Sequence, residues 1–447
     1  MNLLIIGNGL DLDLKLPTKY TDFLKFTKAF IFFMNQDIEK VYEFDTYNHN
    51  IIDSRYDKKS NSPNLIEAHE KWKTVLEKFD ESFSSKFINK VCKDFFYCTY
   101  QNCWIRYFNE RYEKNLIAGE NWIDLESEIQ NMIHSIEERT NFEIIANPSQ
   151  PKKFNKNSLN LQSFIDVNSK NKFRIYRYYY EKMKIALSDD FEKFVMALGI
   201  YLDFFVTQLT PDIQNSSKEL QDLMTTTSNE KSVDYVLSFN YINNFKKNDL
   251  TSEHVCFIHG AVDYVQHLKM RLTENLTGDD KEFLKIENFM NRNKMIIGFD
   301  NLQESEENFE LEFVDYRKYF QRIYKGTDSS YVDWLDEYQT RLRKNIQMST
   351  NPENWENKFQ HRLEAELNCS TPNNVFIFGH SLDATDNKIL KDIFLREHED
   401  TKIKIFYHDL EARKRIIINL IKILGKSRLV EKTKGKNPVI SFIKQTY

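Results

Sequence analysis

The chain of 447 residues is long enough to bury a large core, and its net charge of −5 argues against sequence-independent nucleic-acid binding as the main activity. Its five cysteines form no C-x-x-C pair, which argues against a structural zinc site or a disulfide framework and favours a reducing cytoplasm. The sequence shows neither a signal peptide nor about 18 successive apolar residues, so we expect a cytoplasmic protein with no membrane span.

The first predicted element is a short buried strand, Leu3–Ile6, that ends in a glycine-containing turn. Gly7 and Gly9 let the backbone turn tightly and approach a ligand closely. The amides of a following helix could then accept an oxyanion such as pyrophosphate. The third glycine of the dinucleotide fingerprint is absent, however. Taken alone, the pattern is therefore more typical of a tight strand-to-helix turn.

Amphipathic helices dominate the region that follows. Apolar residues at a spacing of about 3.6 predict one helix near Trp122, with Asn121 as its N-cap, and another over Phe191–Leu209. At the start of the first of these helices, Asp124 and Glu126 suit the helix dipole, which favours a structural role for both acids. The alternative is that these two acids reach a ligand site from the helical region, which would then cover that site.

Short apolar runs rich in β-branched residues resume after residue 232. They predict further buried parallel strands over Tyr235–Ser238, Val255–Ile258, Met295–Ile297, Val375–Phe378 and Ile403–Tyr407. The basic segment 422–436 predicts a solvated helix end followed by a final strand or tail. We therefore predict one α/β domain over residues 1–30 and 232–447, with a large α-helical insertion over residues 31–231 after the first strand-loop-helix unit.

Small, polar or ionisable residues follow the predicted strands. Asn240 follows the second strand, His259 the third, and Gly379 with His380 and Ser381 the fifth. Open parallel sheets bind ligands beyond the carboxyl ends of their strands. An asparagine or a histidine alone is more often structural, but together they provide a polarising amide and a general base. The pattern predicts one site at one edge of the sheet.

Five segments of the chain resemble the bacteriophage abortive infection AbiH family. They are "IIGNGLDLDLKLPTKYTDFL" (5–24), "NWIDLE" (121–126), "VLSFNYINNF" (236–245), "FIHGAVD" (257–263) and "FIFGHSLDATDNKIL" (376–390). That family is in turn similar to the Sir2-like proteins of bacterial antiphage defence. The resemblance implies a Rossmann-like (Sir2-like) parallel sheet and a role as an antiphage abortive-infection effector.

The resemblance also implies roles for individual residues. Asn240 and His259 are the implied catalytic pair: the asparagine holds the ribose or a water near the nicotinamide-bearing carbon, and the histidine acts as the base. The implied nucleotide-binding residues are Gly7, Asn8, Gly9, Asp11, Pro17, Gly379, Ser381 and Asp383, with Asp124 and Glu126 as candidate accessory residues. No metal is implied, and NAD enters as a substrate rather than as a cofactor.

Two functions of different classes follow from the resemblance. The first is cleavage of the N-glycosidic bond of NAD or a related nucleotide, set off by a phage-derived trigger. The second is a non-catalytic nucleotide-binding sensor or toxin component that acts through protein partners. Asp11 and Lys15 depart from the Sir2-like loop and favour the second function, since an acid repels a pyrophosphate unless a cation compensates. A homo-oligomer is expected by family analogy only.

Overall fold

The structure of the chain is a computed structural model that describes most of its residues. The described ranges are 2–41, 83–118, 123–137, 142–147, 153–155, 159, 161, 173–207, 212–225, 233–245, 250–273, 289–290, 293–299, 311–336, 374–383, 386–395 and 401–447. Asn121 and Trp122, predicted to begin a helix, lie outside these ranges. None of the helices inside them is long and apolar enough to cross a membrane.

A parallel β-sheet forms the centre of the fold. Within the described ranges the strands are β1 (Asn2–Ile6), β2 (Phe142–Ile145), β3 (Phe173–Tyr176), β4 (Tyr235–Ser238), β5 (Val255–Phe257), β6 (Asn374–Phe378), β7 (Lys402–Tyr407) and β8 (Ile440–Lys444). Six of them form one sheet in the order β5-β4-β1-β6-β7-β8, and every pairing in it is parallel. The predicted α/β class with a parallel sheet is confirmed.

The order of the strands determines where a ligand can bind. In the sheet, β4 and β5 lie on one side of β1, and β6, β7 and β8 lie on the other, each group in chain order away from β1. The topology therefore switches between β1 and β6, which pair directly with Ile5 opposite Ile377. In open α/β sheets a crevice forms beyond the carboxyl ends of the strands at such a switch point.

Both faces of the sheet are covered, which explains the uninterrupted apolar run of β1. Successive side chains of a strand point to opposite faces. Leu4 and Ile6 belong to one buried cluster, which also contains the helical aromatics Phe95 and Phe194. Leu3 and Ile5 belong to a second cluster on the other face. A strand buried on both faces has no polar alternation, and its sequence therefore reads as a short apolar run.

Helices surround the sheet. They include α1 (Asn8–Asp13), α2 (Tyr20–Val41), α3 (Ser85–Thr99), α4 (Cys103–Ile117), α5 (Leu125–Glu137), α6 (Arg177–Ile200), α7 (Lys218–Thr225), α8 (Tyr264–Thr273), α9 (Lys318–Lys325), α10 (Asn387–Leu395), α11 (Leu410–Leu424) and α12 (Lys426–Lys432). Helix α6 continues as a π-helical segment, Tyr201–Val206, so the helix predicted from Phe191 begins earlier than expected. The described residues also include two short 3₁₀ segments, Ser252–His254 and Leu311–Tyr316.

Some sequence predictions of secondary structure are wrong. The buried run Met295–Ile297 lies outside any strand, although the Ile296 N–H donates to the His259 carbonyl at 2.8 Å. Burial alone makes such a short run apolar, so its sequence cannot be told from that of a strand. The region predicted to be helical contains β2 and β3, which pair as a separate parallel sheet. The division at residues 31–231 stays a prediction.

Candidate functional site

A cleft of about 400 Å³ lies beyond the carboxyl ends of the central strands. The predicted site residues that line it are Gly7, Asn8, Gly9, Asp11, Asp124, Glu126, Asn240, His259, Gly379, Ser381 and Asp383. Pro17 does not line it; its carbonyl accepts a hydrogen bond from the Tyr201 hydroxyl at 2.7 Å. The fold thus brings these residues together, while the binding and catalytic roles assigned to them stay predictions.

The cleft also contains residues that the sequence predictions missed. Lys318, the first residue of α9, and Asp386, which precedes α10, both line it, as do Tyr20 and Tyr241. Asp386 lies three residues beyond Asp383, within the last of the quoted segments, so its position in that motif was a usable signal. Lys318 had no comparable signal, because it follows none of the strands of the sheet.

The glycines of the first turn serve the packing of two loops. The Gly9 N–H donates to the Gly379 carbonyl at 2.8 Å, and the Gly7 N–H donates to the Phe378 carbonyl at 3.1 Å. A Cβ on Gly9 would lie 2.6 Å from the Gly379 Cα, and one on Gly379 would lie 2.2 Å from the Leu10 nitrogen. Because the Leu10 N–H donates to the Gly7 carbonyl, these three amides already have protein acceptors.

Asp11 is buried in α1, with 2% of its surface exposed. Burial raises the pKa of its carboxyl to about 7, although a hydrogen bond from Asn244 Nδ2, at 2.9 Å, opposes the shift. Asp11 therefore exchanges a proton near neutral pH, and it repels an anion less than an ordinary aspartate does. Lys15 does not supply a compensating charge in the cleft; its Nζ lies 5.4 Å from the centre of the Tyr447 ring.

The N-terminal end of α5 contributes two acids to the cleft, the capping residue Asp124 and Glu126 of the first turn. Asp124 caps the helix, because its Oδ1 accepts hydrogen bonds from the N–H groups of Glu126 and Ser127 at 3.1 and 3.2 Å. The Glu126 carboxylate lies 2.8 Å from Lys318 Nζ. Burial raises the pKa of Glu126 to about 7, against the opposing effect of Lys318. Both acids thus begin a helix and line the cleft as well.

Asn240 follows β4, and its side chain has a fixed orientation. Its Nδ2 donates to the Gly7 carbonyl at 3.2 Å, and its backbone N–H donates to Ser238 Oγ at 3.1 Å. Within the described ranges its Oδ1 accepts no hydrogen bond. The amide oxygen is therefore the end of this side chain that can accept from, or lie against, a ligand in the cleft.

His259 follows β5 and is buried, with 4% of its surface exposed. Its Nε2 lies 3.3 Å from Asp386 Oδ1, whereas its buried Nδ1 has no hydrogen-bond partner among the described residues. Burial lowers the pKa of the imidazole to about 4, and Lys318 adds to this shift while Asp386 opposes it. His259 is therefore neutral at pH 7.

Asp386 lies at the centre of a buried network of charged groups. Its Oδ1 is 3.5 Å from Lys318 Nζ, and its Oδ2 is 3.6 Å from His380 Nε2. Burial would raise the pKa of Asp386, but Lys318 and the histidines outweigh burial and hold this pKa well below its usual range. Conversely, Asp386 and Glu126 raise the pKa of Lys318 although burial opposes its charge. Both Lys318 and Asp386 are therefore ionised at neutral pH.

The cleft combines a neutral histidine, an oriented amide oxygen and a buried ion pair. This set can accept a proton from a bound water or hydroxyl group and can stabilise positive charge next to it. Across the part of the chain that the structure describes, no group of three or more His, Cys, Asp or Glu side chains is arranged to hold a metal ion.

Comparison with known proteins identifies the family. The sequence profile of the bacteriophage abortive infection AbiH family matches residues 3–407. No curated protein and no solved structure matches the chain significantly. The matched range includes every residue that lines the cleft, from Gly7 to Asp386. The family predicted from the five sequence segments is thus confirmed, and the chain belongs to the bacteriophage abortive infection AbiH family.

Proposed function

We propose that the chain is a cytoplasmic abortive-infection effector that cleaves the N-glycosidic bond of NAD or a related nucleotide in this cleft. Its family supplies the biological context, which is abortive infection of phage-infected bacteria. One observation carries the chemical part of the proposal. Among the described residues, a neutral histidine whose Nδ1 has no hydrogen-bond partner and an oriented asparagine whose Oδ1 accepts no hydrogen bond line the same crevice, where the topology of the sheet switches.

The order of the strands supports a nucleotide as the ligand. Counted along the six-stranded sheet, the order is 3-2-1-4-5-6, which is the order of doubly wound sheets that bind dinucleotides. A cleft of about 400 Å³ also lies within the usual size range of small-molecule sites. The assignment to the Sir2-like group of such folds is part of the proposal and rests on this order together with the sequence segments.

Hydrolysis of NAD would proceed through these residues as follows. The bond from the ribose C1′ to the nicotinamide nitrogen breaks, and its electron pair stays on that nitrogen and neutralises the ring. Positive charge develops on the ribose, where Asn240 Oδ1 can stabilise it or hold the incoming water. The water attacks C1′ and gives its proton to His259 Nδ1, while Asp386 stabilises the imidazolium that forms. The products are nicotinamide, ADP-ribose and a proton.

The charge of the cleft suits the nicotinamide half of the substrate. Five acidic side chains line it, namely Asp11, Asp124, Glu126, Asp383 and Asp386, against a single lysine, Lys318, among the described lining residues. Carboxylates near the reacting carbon stabilise the positive charge of the transition state, and they do so more strongly where water is excluded. We therefore expect the nicotinamide riboside half to enter the cleft and the pyrophosphate to lie toward its opening.

One observation favours the second candidate, a non-catalytic nucleotide-binding sensor that acts through protein partners. The amides of Gly7, Gly9 and Leu10 donate to protein carbonyls, so they are not available to a pyrophosphate in this conformation. A loop that cradles phosphate usually directs such amides at the ligand. A sensor would need only affinity for its ligand, and neither Asn240 nor His259 would have to promote a reaction.

The test is release of nicotinamide from NAD by purified protein. His259→Ala should lower turnover by about 10²–10⁴-fold, because a general base contributes that much. Asn240→Ala should lower it as well, whereas His267→Ala should not, since His267 pairs with Asp263 outside the cleft. Turnover by His259→Ala at the wild-type rate would refute the mechanism. Binding of NAD that is unaffected by His259→Ala, with no turnover even in infected cells, would support the sensor.

A further inference from the structure

We infer that Asp386 is a positioning residue that fixes the tautomer of His259, and that Lys318 keeps this aspartate charged and in place. The inference rests on the proposed function, because it concerns which imidazole nitrogen receives the proton of the attacking water. Neither Asp386 nor Lys318 was among the residues that the sequence resemblance implied. Each is contributed by a segment remote in sequence from His259.

The contacts of Asp386 leave its carboxylate little freedom to rotate. Its Oδ1 faces His259 Nε2 at 3.3 Å, and its Oδ2 faces His380 Nε2 at 3.6 Å. In His380 the other nitrogen, Nδ1, accepts a hydrogen bond from the Leu382 N–H at 2.9 Å, so the proton of this ring is on Nε2. Each carboxylate oxygen thus faces an Nε2 that carries or can carry a proton.

This arrangement permits one neutral tautomer of His259. With the proton on Nε2, the imidazole donates to Asp386 and keeps a lone pair on the buried Nδ1, which has no partner in the described part of the chain. With the proton on Nδ1, a buried donor would have no acceptor among the residues that the structure describes, and the Nε2 lone pair would face a carboxylate. Both effects are unfavourable, since a buried polar group without a partner has lost its hydrogen bonds to water and gained none in return. The tautomer that the carboxylate selects is the one that makes Nδ1 a base.

Lys318 explains how an aspartate remains ionised at this depth. Only 1% of the lysine side chain is exposed, and its Nζ lies 3.5 Å from Asp386 Oδ1 and 2.8 Å from Glu126 Oε2. Arg322 lies 3.8 Å from the same Asp386 oxygen. The charged or titratable groups that act on His259 are therefore Asp386, Lys318 and Arg322, and the two cations offset part of the effect of the carboxylate.

The decisive variant is Asp386→Asn, which preserves the shape of the side chain and removes its charge. Lys318 retains Glu126 as a partner in this variant, so the network loses one charge without leaving a lysine unpaired. An asparagine has a single carbonyl oxygen, and its amide group must face one of the two imidazoles. Asp392→Asn in α10 is the matched control, because it makes the same chemical change outside the cleft.

The test has two measurements. In ¹⁵N NMR of histidine side chains, assigned by comparison with His259→Ala, we expect wild-type His259 to carry its proton on Nε2 and none on Nδ1 at pH 7. In NAD hydrolysis, Asp386→Asn should lower kcat by about 10–100-fold with little change in KM, and Asp392→Asn should match the wild type.

The two measurements separate this inference from the proposed function. A wild-type His259 with its proton on Nδ1, or an Asp386→Asn variant with wild-type kcat, would overturn the role of Asp386. The NMR result does not depend on turnover. If the wild-type protein leaves NAD intact in infected cells while the Nε2–H tautomer is observed, NAD hydrolysis fails and the positioning of His259 by Asp386 stands.

Discussion

Two walls of the cleft differ in what their residues do. The glycine wall, formed by Gly7, Gly9 and Gly379, is two loops packed backbone to backbone. The charged wall is formed by Glu126, His259, Lys318 and Asp386, side chains that meet from four remote segments. Sequence motifs point to the first wall most clearly. The groups that can react or pair with a ligand lie in the second.

The contrast follows from how each wall satisfies its polar groups. In the glycine wall, the N–H groups of Gly7 and Gly9 donate to backbone carbonyls of the protein, and the close approach of the two loops requires glycines. In the charged wall His259 Nδ1, and next to it Asn240 Oδ1, have no protein partner within the described ranges. We therefore expect substitutions in the glycine wall to affect folding first, and those in the charged wall to affect chemistry as well.

The largest effect on stability is expected from Lys318→Met in the charged wall. The change removes the cation closest to two buried acids, Glu126 and Asp386, and loss of one partner of a buried ion pair typically costs about 3–5 kcal/mol. Lys184→Met is the control, since Lys184 pairs with the partly exposed Glu312 and should cost about 1 kcal/mol or less. Urea unfolding measures the free energy of unfolding of both variants. Equal losses of stability in the two variants would contradict a larger contribution from the buried ion pair.

A smaller loss of unfolding free energy, about 3 kcal/mol, is expected from Gly379→Ala in the glycine wall. Gly379 has a φ of +67°, and an added Cβ would meet the Leu10 nitrogen at 2.2 Å, so two loops must separate. Gly435→Ala is the control that measures the cost of a positive φ alone. Gly435 has a φ of +89°, and an added Cβ would meet no described atom within 4 Å. It should cost about 1–2 kcal/mol. Identical unfolding midpoints for the two variants would refute the packing role.

The smallest expected effect, about 2–3 kcal/mol between pH 5 and pH 8, is a change in the pH dependence of stability in Asp11→Asn. The folded-state pKa of Asp11 is about 7, above its ordinary value of 3.8, so stability falls as pH rises between about 4 and 7. Asparagine removes this loss. Relative to the wild type, the variant should therefore gain unfolding free energy between pH 5 and pH 8. A difference that is constant with pH would show that Asp11 does not titrate in this range.

The sheet and the strand-end residues were predictable from sequence for a physical reason. A strand buried on both faces reads as an apolar run, and the residues that end it are small or polar because they face the crevice. Asn240 and His259 could thus be assigned to one site from the sequence, and both line the cleft. Their distance along the chain did not matter, since the carboxyl ends of parallel strands meet at one edge.

The charged wall was harder to predict, because its members meet only in the folded chain. Lys318 begins an amphipathic helix, where a lysine usually faces solvent, and nothing local indicates that it is buried against Glu126 and Asp386. The prediction of a strand at Met295–Ile297 was wrong for the opposite reason. This segment is buried without being a strand, and burial alone gives it the apolar sequence of a strand. Contacts between residues that are far apart in the chain leave no periodic pattern in the sequence.

The most direct test of the central claim is the NAD content of cells during infection by a phage that the protein resists. Cells with the wild-type protein should lose most of their NAD, and cells with His259→Ala should keep it and lose protection. This assay includes whatever trigger the infection supplies, so a silent resting protein does not obscure the result. A full NAD pool during effective protection by the wild-type protein would contradict NAD cleavage as the function of this cleft.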